Sequence, residues 1–421
     1  MHLPAILKTR RFLPLFVTQF FGAFNDNMFK NALIIIITYR LAEKTGADAR
    51  MLVTLAALLF MLPYLLFSAT AGQFADKLDR AFLARATKLW EIVLVSVAAA
   101  GFYAEGTYFL LVVLFCLGTQ ATFFGPIKYA LLPQHLRDDE LVAGNAYINA
   151  GSFLAILLGT ITGGLLILMP AGNHLIAAAM LAVALLGYIA SRFIPASPPA
   201  MPDLKINWNI AAETWRMVQR DRANKRVFRC ILGISWFWLM GATYLSQFPT
   251  LAKFVLHADE TVVTFFLTLF SVGIAAGSFL CNRILAGSIS NRTVKWGAAG
   301  LSLFTLDLFF ATHNLVPLEG ALMNAATFMD REGMWRVVLD LLLVPVSAGL
   351  YIVPLYAIMQ HESDPDFRAR TIATNNVVNA LFMVLSGIIT MAMLAADFTV
   401  PQVFLTLGVL NIPVALYILR L

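Results

Sequence analysis

The chain has 421 residues, of which 60% are hydrophobic and 13% are charged. Soluble domains carry roughly 25% charged and about 45–50% apolar residues, so this composition excludes an ordinary water-soluble fold. The formal net charge of +6 would suit nucleic acid. However, the basic residues lie in short segments between apolar runs and form no basic domain, so we expect no nucleic-acid partner.

Twelve apolar segments follow one another along the chain, each near the length of about 20 residues that a membrane-spanning helix needs. The first six are expected at 12–39, 51–74, 82–103, 107–127, 141–169 and 173–194. A Pro-rich and then basic stretch follows, which is typical of a linker. The last six are expected at 230–252, 261–284, 295–312, 336–360, 371–395 and 401–419.

These segments predict an all-α membrane protein of about 12 transmembrane helices. We divide it into a six-helix half at 1–195, a cytoplasmic linker at 196–228 and a second six-helix half at 229–421. The loops on the side of the two termini hold most of the Lys and Arg residues. The opposite side holds only Arg40, Lys44, Arg50, Lys253, Arg331 and Arg336. By the positive-inside rule, both termini are expected in the cytoplasm.

The chain offers no framework for a metal or a cofactor. Cys116, Cys230 and Cys281 lie in or beside apolar segments, and their spacing fits neither a disulfide scaffold nor a set of metal ligands. No nucleotide-binding loop is evident. We therefore expect no metal and no cofactor.

The two halves carry a sequence repeat. The pattern Asn-x-x-x-Asn-Ala begins at Asn145 and again at Asn375, which is 230 residues later. Upstream of these motifs, the segment 126–130 (Pro-Ile-Lys-Tyr-Ala) resembles the segment 354–357 (Pro-Leu-Tyr-Ala). Two six-helix halves in the same orientation resemble the arrangement of the major facilitator transporters, so we expect the major facilitator fold.

Span 1 contains a polar cluster in its middle, at Asn25, Asp26, Asn27, Lys30 and Asn31. An ionisable residue there costs about 2.5–3.5 kcal/mol on insertion scales, so something must offset it. The spacing of four residues predicts an ion pair from Asp26 to Lys30 and an amide pair from Asn27 to Asn31. Two roles remain open: a polar wall that binds a headgroup or a coupling cation, or a lock between span 1 and its neighbours.

The end of span 2 resembles the loop signature of the major facilitator superfamily, Gly-x-x-x-Asp-(Arg/Lys)-x-Gly-Arg. Gly72, Asp76, Lys77 and Arg80 match it, while Asp79 stands where Gly is usual. In that superfamily the Asp pairs with basic residues and a helix end to hold the outward-facing state. The resemblance therefore implies a gate at Asp76 and Arg80, and an ordinary charged turn is the alternative.

Three motifs together resemble the lysophospholipid transporter family. They are Asn-Asp-Asn in span 1, Gly-Pro-x-Lys-Tyr at the end of span 4, and a Leu-Val-x-Gly-Asn helix that runs into Ala-Ile-Leu-Leu-Gly at 155–159. Members move lysophospholipids such as lysophosphatidylethanolamine from the outer to the cytoplasmic leaflet of the bacterial inner membrane, where an acyltransferase restores the second acyl chain. The resemblance implies this substrate, membrane lipids as surroundings, a coupling cation (H⁺ or Na⁺) and a functional link to an acyltransferase.

The expected substrate-binding residues are Asn25, Asp26, Asn27, Lys30, Glu91, Lys128, Tyr129, Asn145 and Asn149. We place Lys128 at the inner end of span 4, where Pro126 can open the last helical turn. Its ammonium suits a lipid phosphate, and the hydroxyl of Tyr129 lies alongside. Snorkelling of Lys128 to the interface is the alternative.

Two further charges lie inside predicted spans. Glu91 follows Lys88 by three residues, so an intrahelical ion pair and a substrate role are equally compatible with the sequence. Asp307 has no local cation, which predicts that its side chain either faces a cavity or is protonated.

Three other functions are compatible with parts of the sequence. An acyltransferase would use a His-x4-Asp pair, which His361 and Asp366 match, but the Glu-Gly-x-x-Arg segment at 332–336 is expected on the other side of the membrane, so we expect no enzyme. A proton-coupled exporter of drugs or small solutes could use the same fold. A membrane anchor for an acyltransferase would tolerate the loss of the charges in span 1.

Overall fold

The structure is a computed structural model, and it describes residues 6–41, 49–104, 106–315 and 320–421. Lys44, which the charge count placed opposite the termini, lies outside the described residues. The helices before the linker are α1 (Leu13–Ile35), α2 (Ala49–Lys77), α3 (Arg80–Tyr103), α4 (Thr107–His135), α5 (Asp138–Leu168) and α6 (Gly172–Ser191). The linker carries one helix, α7 (Ile210–Ala223).

The helices after the linker are α8 (Lys225–Thr250), α9 (Glu260–Leu285), α10 (Val294–Thr312), α11 (Ala325–Phe328), α12 (Met334–Glu362), α13 (Arg368–Ala395) and α14 (Val400–Ile418). Two of the long helices end in π-helical turns, Ile36–Leu41 after α1 and Leu251–Val255 after α8. Each of the twelve predicted spans overlaps one long helix in the described part of the chain. The prediction of an all-α membrane protein is therefore confirmed.

Ten of these helices are long and apolar enough to cross a membrane, judged by length and composition over the described residues. The other two long helices, α1 and α3, carry charges inside their length, among them Asp26, Lys30, Lys88 and Glu91. Charged side chains are rare within transmembrane helices and usually mark function. The charged residues of α1 and α3 therefore mark the region where we expect a functional site.

The predicted end of span 4 is wrong. Span 4 was expected to stop at 127, but α4 continues to His135 and contains both Pro126 and Pro133. Proline is tolerated in membrane helices because neighbouring helices and local adjustments satisfy the freed backbone groups. Lys128 therefore lies inside a continuous helix, and Pro126 does not open a last turn beside it.

Helix packing divides the chain into two groups of six long helices. In the first group α1 packs against α5 and α6, α2 against α4, and α3 against α4 and α6. In the second group α12 packs against α8, α9 and α10, while α14 packs against α10. Across the groups, α5 packs against α9 and α2 against α13.

The linker crosses one end of the bundle, which we call the linker end. Gln73 of α2 exchanges hydrogen bonds with the backbone of Asn207, at 3.2 Å to its carbonyl and 2.7 Å from its N–H. On α7, Asp221 accepts a hydrogen bond of 2.8 Å from Thr371 of α13. Burial raises the pKa of the Asp221 carboxyl above its usual range. The linker is thus attached to both groups of helices.

Close contact between α1 and α5 depends on glycine. A Cβ atom at Gly159 would clash with the backbone carbonyl of Phe24, and one at Gly163 would clash with that of Met28. Backbone atoms cannot rotate away as a flexible side chain can. Small residues of this kind let membrane helices approach each other closely, and this approach holds the charged segment of α1 in position.

We expect Gly159→Ala to lower the thermal unfolding midpoint in detergent, because overpacking a tight contact costs about 1–3 kcal/mol. Gly387→Ala is the matched control, since no atom lies within 4 Å of a Cβ placed there. The control should leave the midpoint unchanged or raise it slightly, because Ala favours helix by about 1 kcal/mol over Gly. Equal midpoints for the two variants would contradict the packing argument.

Candidate functional site

Charged side chains from α1, α3 and α4 come together inside the first group of helices. We call this set the polar cluster; its members are Asn25, Asp26, Lys30, Lys88, Glu91, Gln120 and Lys128. Asp26 lies within electrostatic range of Lys30, Lys88, Lys128 and Glu91. The cluster thus joins three helices that the sequence places far apart.

Glu91 lies at the centre of the polar cluster, and both of its carboxylate oxygens accept hydrogen bonds. Its Oε2 lies 2.5 Å from Lys88 Nζ, and its Oε1 accepts a hydrogen bond of 3.0 Å from Asn25 Nδ2. Gln120 Nε2 donates to Oε2 at 3.4 Å. Lys88 and Glu91 are each 1% exposed. A buried charge is tolerated when it is paired and hydrogen-bonded, so the predicted ion pair between Lys88 and Glu91 is formed and holds α1, α3 and α4 together.

Asp26, Lys30 and Lys128 have a different environment. All three are partly exposed, and within the described residues none makes an ion pair. Lys30 Nζ lies 5.2 Å from the centroid of the Phe60 ring, and Lys128 Nζ lies 4.9 Å from that of Tyr129. Cation–π contacts of this kind stabilise an ammonium weakly. One carboxylate and two ammonium groups are therefore available to a ligand.

The two predicted pairs within α1 do not form. The structure records no ion pair between Asp26 and Lys30, whose ammonium turns toward α2. Asn27 donates instead to the carbonyl of Ala23 at 2.8 Å, and Asn31 donates to the carbonyl of Thr160 in α5 at 2.7 Å. The backbone carbonyls compete successfully for both amides, so Asn31 fastens α1 to α5.

Two tyrosines join the polar cluster to the second group of helices. The rings of Tyr129 in α4 and Tyr356 in α12 stack with centroids 4.6 Å apart and planes at 8°. Trp238 Nε1 donates to the Tyr356 hydroxyl at 3.4 Å. Both tyrosines belong to the repeated Tyr-Ala motif. Because Lys128 lies over the ring of Tyr129, its ammonium is at the junction of the two groups.

The second group presents amides rather than charges at this junction. A Cβ at Gly125 of α4 would lie 2.8 Å from Asn376 Nδ2, so α13 approaches α4 one turn from Lys128. Asn376 Nδ2 and both amide atoms of Asn375 are buried without a hydrogen-bond partner in the described residues. Unsatisfied buried amides are uncommon and call for an explanation. The junction is thus charged on one side and polar but neutral on the other.

Asn145 and Asn149, two of the predicted substrate residues, lie in a contact between the groups. Asn145 and Gln360 exchange two hydrogen bonds, at 2.8 Å and 3.0 Å. Asn149 Nδ2 donates to the backbone carbonyl of Asn145 at 3.0 Å. All three side chains are buried. In this conformation these amides bind each other and tie α5 to α12.

Asp76 connects the groups at the linker end. Its Oδ1 accepts hydrogen bonds from Arg80 and from the backbone N–H of Ala369, both at 3.1 Å, and its Oδ2 accepts one of 2.9 Å from Arg370 Nε. The side chain of Asp76 is 0% exposed. Ala369 lies in the first turn of α13, where the helix dipole favours an anion. At the linker end, the carboxylate of Asp76 therefore joins α2 of the first group to α13 of the second.

The sequence analysis did not assign Arg370 or Gln360 to the site. The sequence repeat could have drawn attention to Arg370. Arg370 precedes Asn375 by five residues, and Glu140 precedes Asn145 by the same number. Glu140 pairs with Arg11 at 2.5 Å, whereas Arg370 pairs with Asp76. Equivalent positions thus carry opposite charges. For Gln360 no comparable pattern exists, since its partner Asn145 becomes adjacent only through packing.

Asp307 has no cation nearby in the sequence, but the structure gives it one from a distant part of the chain, which neither sequence alternative anticipated. Arg336 of α12 binds it through two hydrogen bonds, from Nε to Oδ2 at 2.9 Å and from its terminal nitrogen to Oδ1. The two residues are 29 positions apart, so local sequence could not indicate the pair. Such bidentate contacts are among the stronger charge-assisted interactions.

Comparison with known proteins supports the fold described above. A family model described as the Major Facilitator Superfamily matches residues 15–387. The chain belongs to this superfamily. It is accordingly a multi-pass membrane transporter and not an enzyme, and the predicted major facilitator fold is confirmed.

Relatives and solved structures within the superfamily extend the match. The lysophospholipid transporter LplT of Escherichia fergusonii is 25% identical over 394 residues, which cover 91% of this chain and 89% of that protein. That of Photorhabdus laumondii is 26% identical over 366 residues, covering 84% and 81%.

The human organic anion transporter MFSD10 superposes with a TM-score of 0.73 at 14% identity, covering 97% of this chain and 99% of that chain. A bacterial homologue of the iron transporter ferroportin, in an outward-facing state, gives a TM-score of 0.67 at 15% identity, covering 97% and 100%. At these identities the two structures share the fold of the superfamily.

We expect Asp76→Asn and Arg370→Gln each to open the linker end of the bundle. A Thr374→Cys substitution, placed in a chain whose native cysteines are replaced by Ala, reports on this region because Thr374 is fully buried. Its alkylation by a water-soluble maleimide should become about tenfold faster in either variant, which corresponds to roughly 1.4 kcal/mol.

The control for this experiment is Asp203→Asn, which removes an exposed carboxylate from the linker. It should leave the alkylation rate unchanged. Alkylation as slow in Asp76→Asn as in the parent chain would show that Asp76 does not keep this end closed.

Proposed function

We propose that this chain is a lysophospholipid transporter of the bacterial inner membrane. It moves lysophospholipids such as lysophosphatidylethanolamine from the outer to the cytoplasmic leaflet by alternating access. The relatives named lysophospholipid transporters, which align over most of both chains, support the substrate class. The direction and the mechanism rest on the arguments that follow.

The observation that carries the proposal is the set of unpaired charges in the polar cluster, of which Lys128 lies at the junction of the two groups. Lysophosphatidylethanolamine carries one phosphate and one ammonium. Lys128 and Lys30 offer cations to the phosphate, and Asp26 offers a carboxylate to the ammonium. Because Asp26 lies within electrostatic range of both lysines, one zwitterionic headgroup can contact all three unpaired groups, with its phosphate shared by the two lysines and its ammonium at Asp26.

Asn25, Glu91 and Tyr129 hold the charged side chains of the cluster in place and do not compete with the headgroup for them. The buried Glu91 fixes Lys88 and Asn25, so this charge is already compensated. Tyr129 holds the ammonium of Lys128 over its ring. We assign Asn27, Asn145 and Asn149 to the same path, where they become accessible when α5 and α12 separate and the amide pair with Gln360 opens.

Alternating access follows from the closed linker end. We propose that Asp76 and Arg80, together with Arg370, form the gate, and that the halves 1–195 and 229–421 rotate about the linker at 196–228. The excess of Lys and Arg beside the termini supports a cytoplasmic position for both ends. Lysophospholipid released there becomes available to an acyltransferase, which gives the transporter its functional link.

Lys128→Ala should slow the flipping of labelled lysophosphatidylethanolamine in proteoliposomes about ten- to a hundredfold. A hydrogen bond to a charged group contributes roughly 1.5–3 kcal/mol, and each 1.4 kcal/mol is about tenfold. Lys128→Arg keeps the charge and should retain part of the activity. Lys295→Ala is the control, because it removes an exposed lysine outside the cluster and should transport normally.

Two companion measurements separate the alternatives. Asp26→Asn and Lys30→Ala should reduce flipping while membrane insertion stays intact, because insertion tolerates a neutral residue better than a charge. A membrane anchor would be indifferent to both substitutions. A drug exporter would confer resistance on cells and show no lysolipid flipping, and that result in folded wild-type protein would refute the proposal.

A further inference from the structure

Asn376 of α13 is a buried amide that has no role in the transport site proposed above. The residue is 9% exposed, and its Nδ2 atom is buried and has no hydrogen-bond partner among the described residues. A buried donor without an acceptor costs free energy comparable to a lost hydrogen bond. A polar group in this condition calls for an explanation, and a ligand that binds during transport supplies one.

Two other buried amides of the second group are satisfied and tie helices together. Asn379, three residues further along α13, accepts a hydrogen bond of 2.7 Å from Ser235 of α8. Asn411 of α14 accepts one of 2.8 Å from Trp236 Nε1 and donates one of 2.9 Å to a backbone carbonyl of α10. The Nδ2 atom of Asn376 makes no such link in the described part of the chain, so a role in joining helices does not account for it.

Asn376 lies against α4 close to Lys128. A Cβ at Gly125 would lie 2.8 Å from Asn376 Nδ2, and Gly125 precedes Lys128 by three residues, so both belong to one face of α4. Along the helix axis they are roughly 4.5 Å apart at 1.5 Å per residue. The preceding amide, Asn375, is 0% exposed. Asn376 is therefore the more accessible of the two amides beside Lys128.

A headgroup held by Lys128 brings one further polar group close to this amide. In a lysophospholipid, the missing acyl chain leaves a free hydroxyl on the glycerol. This hydroxyl and the phosphate belong to the same short glycerol unit, so both can be bound across one helical turn of α4. A hydroxyl donates as well as accepts hydrogen bonds, and it can therefore pair with either atom of an amide side chain.

We propose that Asn376 binds the free glycerol hydroxyl of the lysophospholipid while Lys128 binds its phosphate. This inference rests on the proposed function and adds a residue that determines specificity. When α13 moves away from α4 during alternating access, the glycerol enters between Asn376 and Lys128. The hydroxyl then satisfies the amide that is without a partner in the present conformation.

The contact distinguishes a lysophospholipid from its diacyl parent. In the diacyl lipid an ester takes the place of the hydroxyl, and an ester oxygen cannot donate a hydrogen bond. The added acyl chain is also bulkier than a hydroxyl, at a point where α13 approaches α4 closely. A site that hydrogen-bonds a substrate hydroxyl discriminates against analogues that lack it, because its buried polar group is left unpaired. The first group of helices thus selects for headgroup charge, and the second for the missing acyl chain.

The experiment compares two probes in proteoliposomes of the full chain. One is lysophosphatidylethanolamine, and the other is the same lipid with hydrogen in place of the glycerol hydroxyl. The wild type should flip the deoxy probe about tenfold more slowly, because one hydrogen bond to a buried amide is lost. Asn376→Leu has the same number of heavy atoms in its side chain but no polar atom, and it should flip both probes at equal rates. Asn376→Ala should lose the discrimination in the same way and serves if Asn376→Leu does not fold.

Asn411→Leu is the matched control, since it removes a buried amide that ties helices together outside the transport site. It should keep the wild-type ratio of the two flipping rates, even where it slows both. The unfolding midpoint in detergent gives a readout that does not depend on substrate. Asn411→Leu should lower the midpoint because it leaves buried polar groups without partners, whereas Asn376→Leu should leave the midpoint unchanged or raise it.

The outcomes separate this inference from the proposed function. Equal flipping of the two probes by the wild type, or the wild-type ratio in both Asn376 variants, would overturn the hydroxyl contact and leave the lysophospholipid transporter intact. A midpoint lowered as far in Asn376→Leu as in Asn411→Leu, with the ratio of rates unchanged, would show that Asn376 only holds helices together. A wild type that flips neither probe would overturn the proposed function and this inference with it.

Discussion

An ion inside a membrane-spanning helix must have a partner, and this constraint organises the molecule. Glu91 satisfies it with Lys88, Asn25 and Gln120, and Asp76 satisfies it with two arginines and a helix N-terminus. These contacts join helices, since a buried charge without a partner costs several kcal/mol. Where the constraint is met within the protein, a carboxylate acts as a structural link. Where it is not, the charged group is available to a ligand.

The two groups of helices repeat a framework but not a distribution of charge. The Asn-x-x-x-Asn-Ala motif is common to α5 and α13, and the stacked tyrosines come from a second shared motif. The first group holds unpaired charges, of which Lys128 lies at the junction, and the second group presents neutral amides there. A charged headgroup fits such an asymmetry, because its charges meet charged groups in the first group and its polar atoms meet hydrogen-bonding amides in the second.

The closed linker end is held by contacts of different kinds. Asp76 is bound electrostatically to α13, Asn145 and Gln360 form an amide pair, and the linker is attached to both α2 and α13. To open this end, the protein must break these contacts together, so the transition between states is cooperative. A headgroup bound by Lys128 would lie beside the stacked tyrosines and close to this set of contacts. The closure and the substrate site therefore share one region of the fold.

The sequence by itself determined the helices, because hydrocarbon requires every backbone hydrogen bond to be made within a helix and long apolar runs mark where that happens. It also offered the contact between Lys88 and Glu91, which are three residues apart on one helix, as one of two alternatives, and the structure forms that contact. The spacing of four residues predicted an ion pair between Asp26 and Lys30. This pair does not form, because the ammonium of Lys30 turns toward Phe60 on α2. Only the tertiary structure decided the partners of Asp76, Asn145 and Asp307. Those partners are distant in the chain and meet because helices pack side by side, which no local pattern encodes.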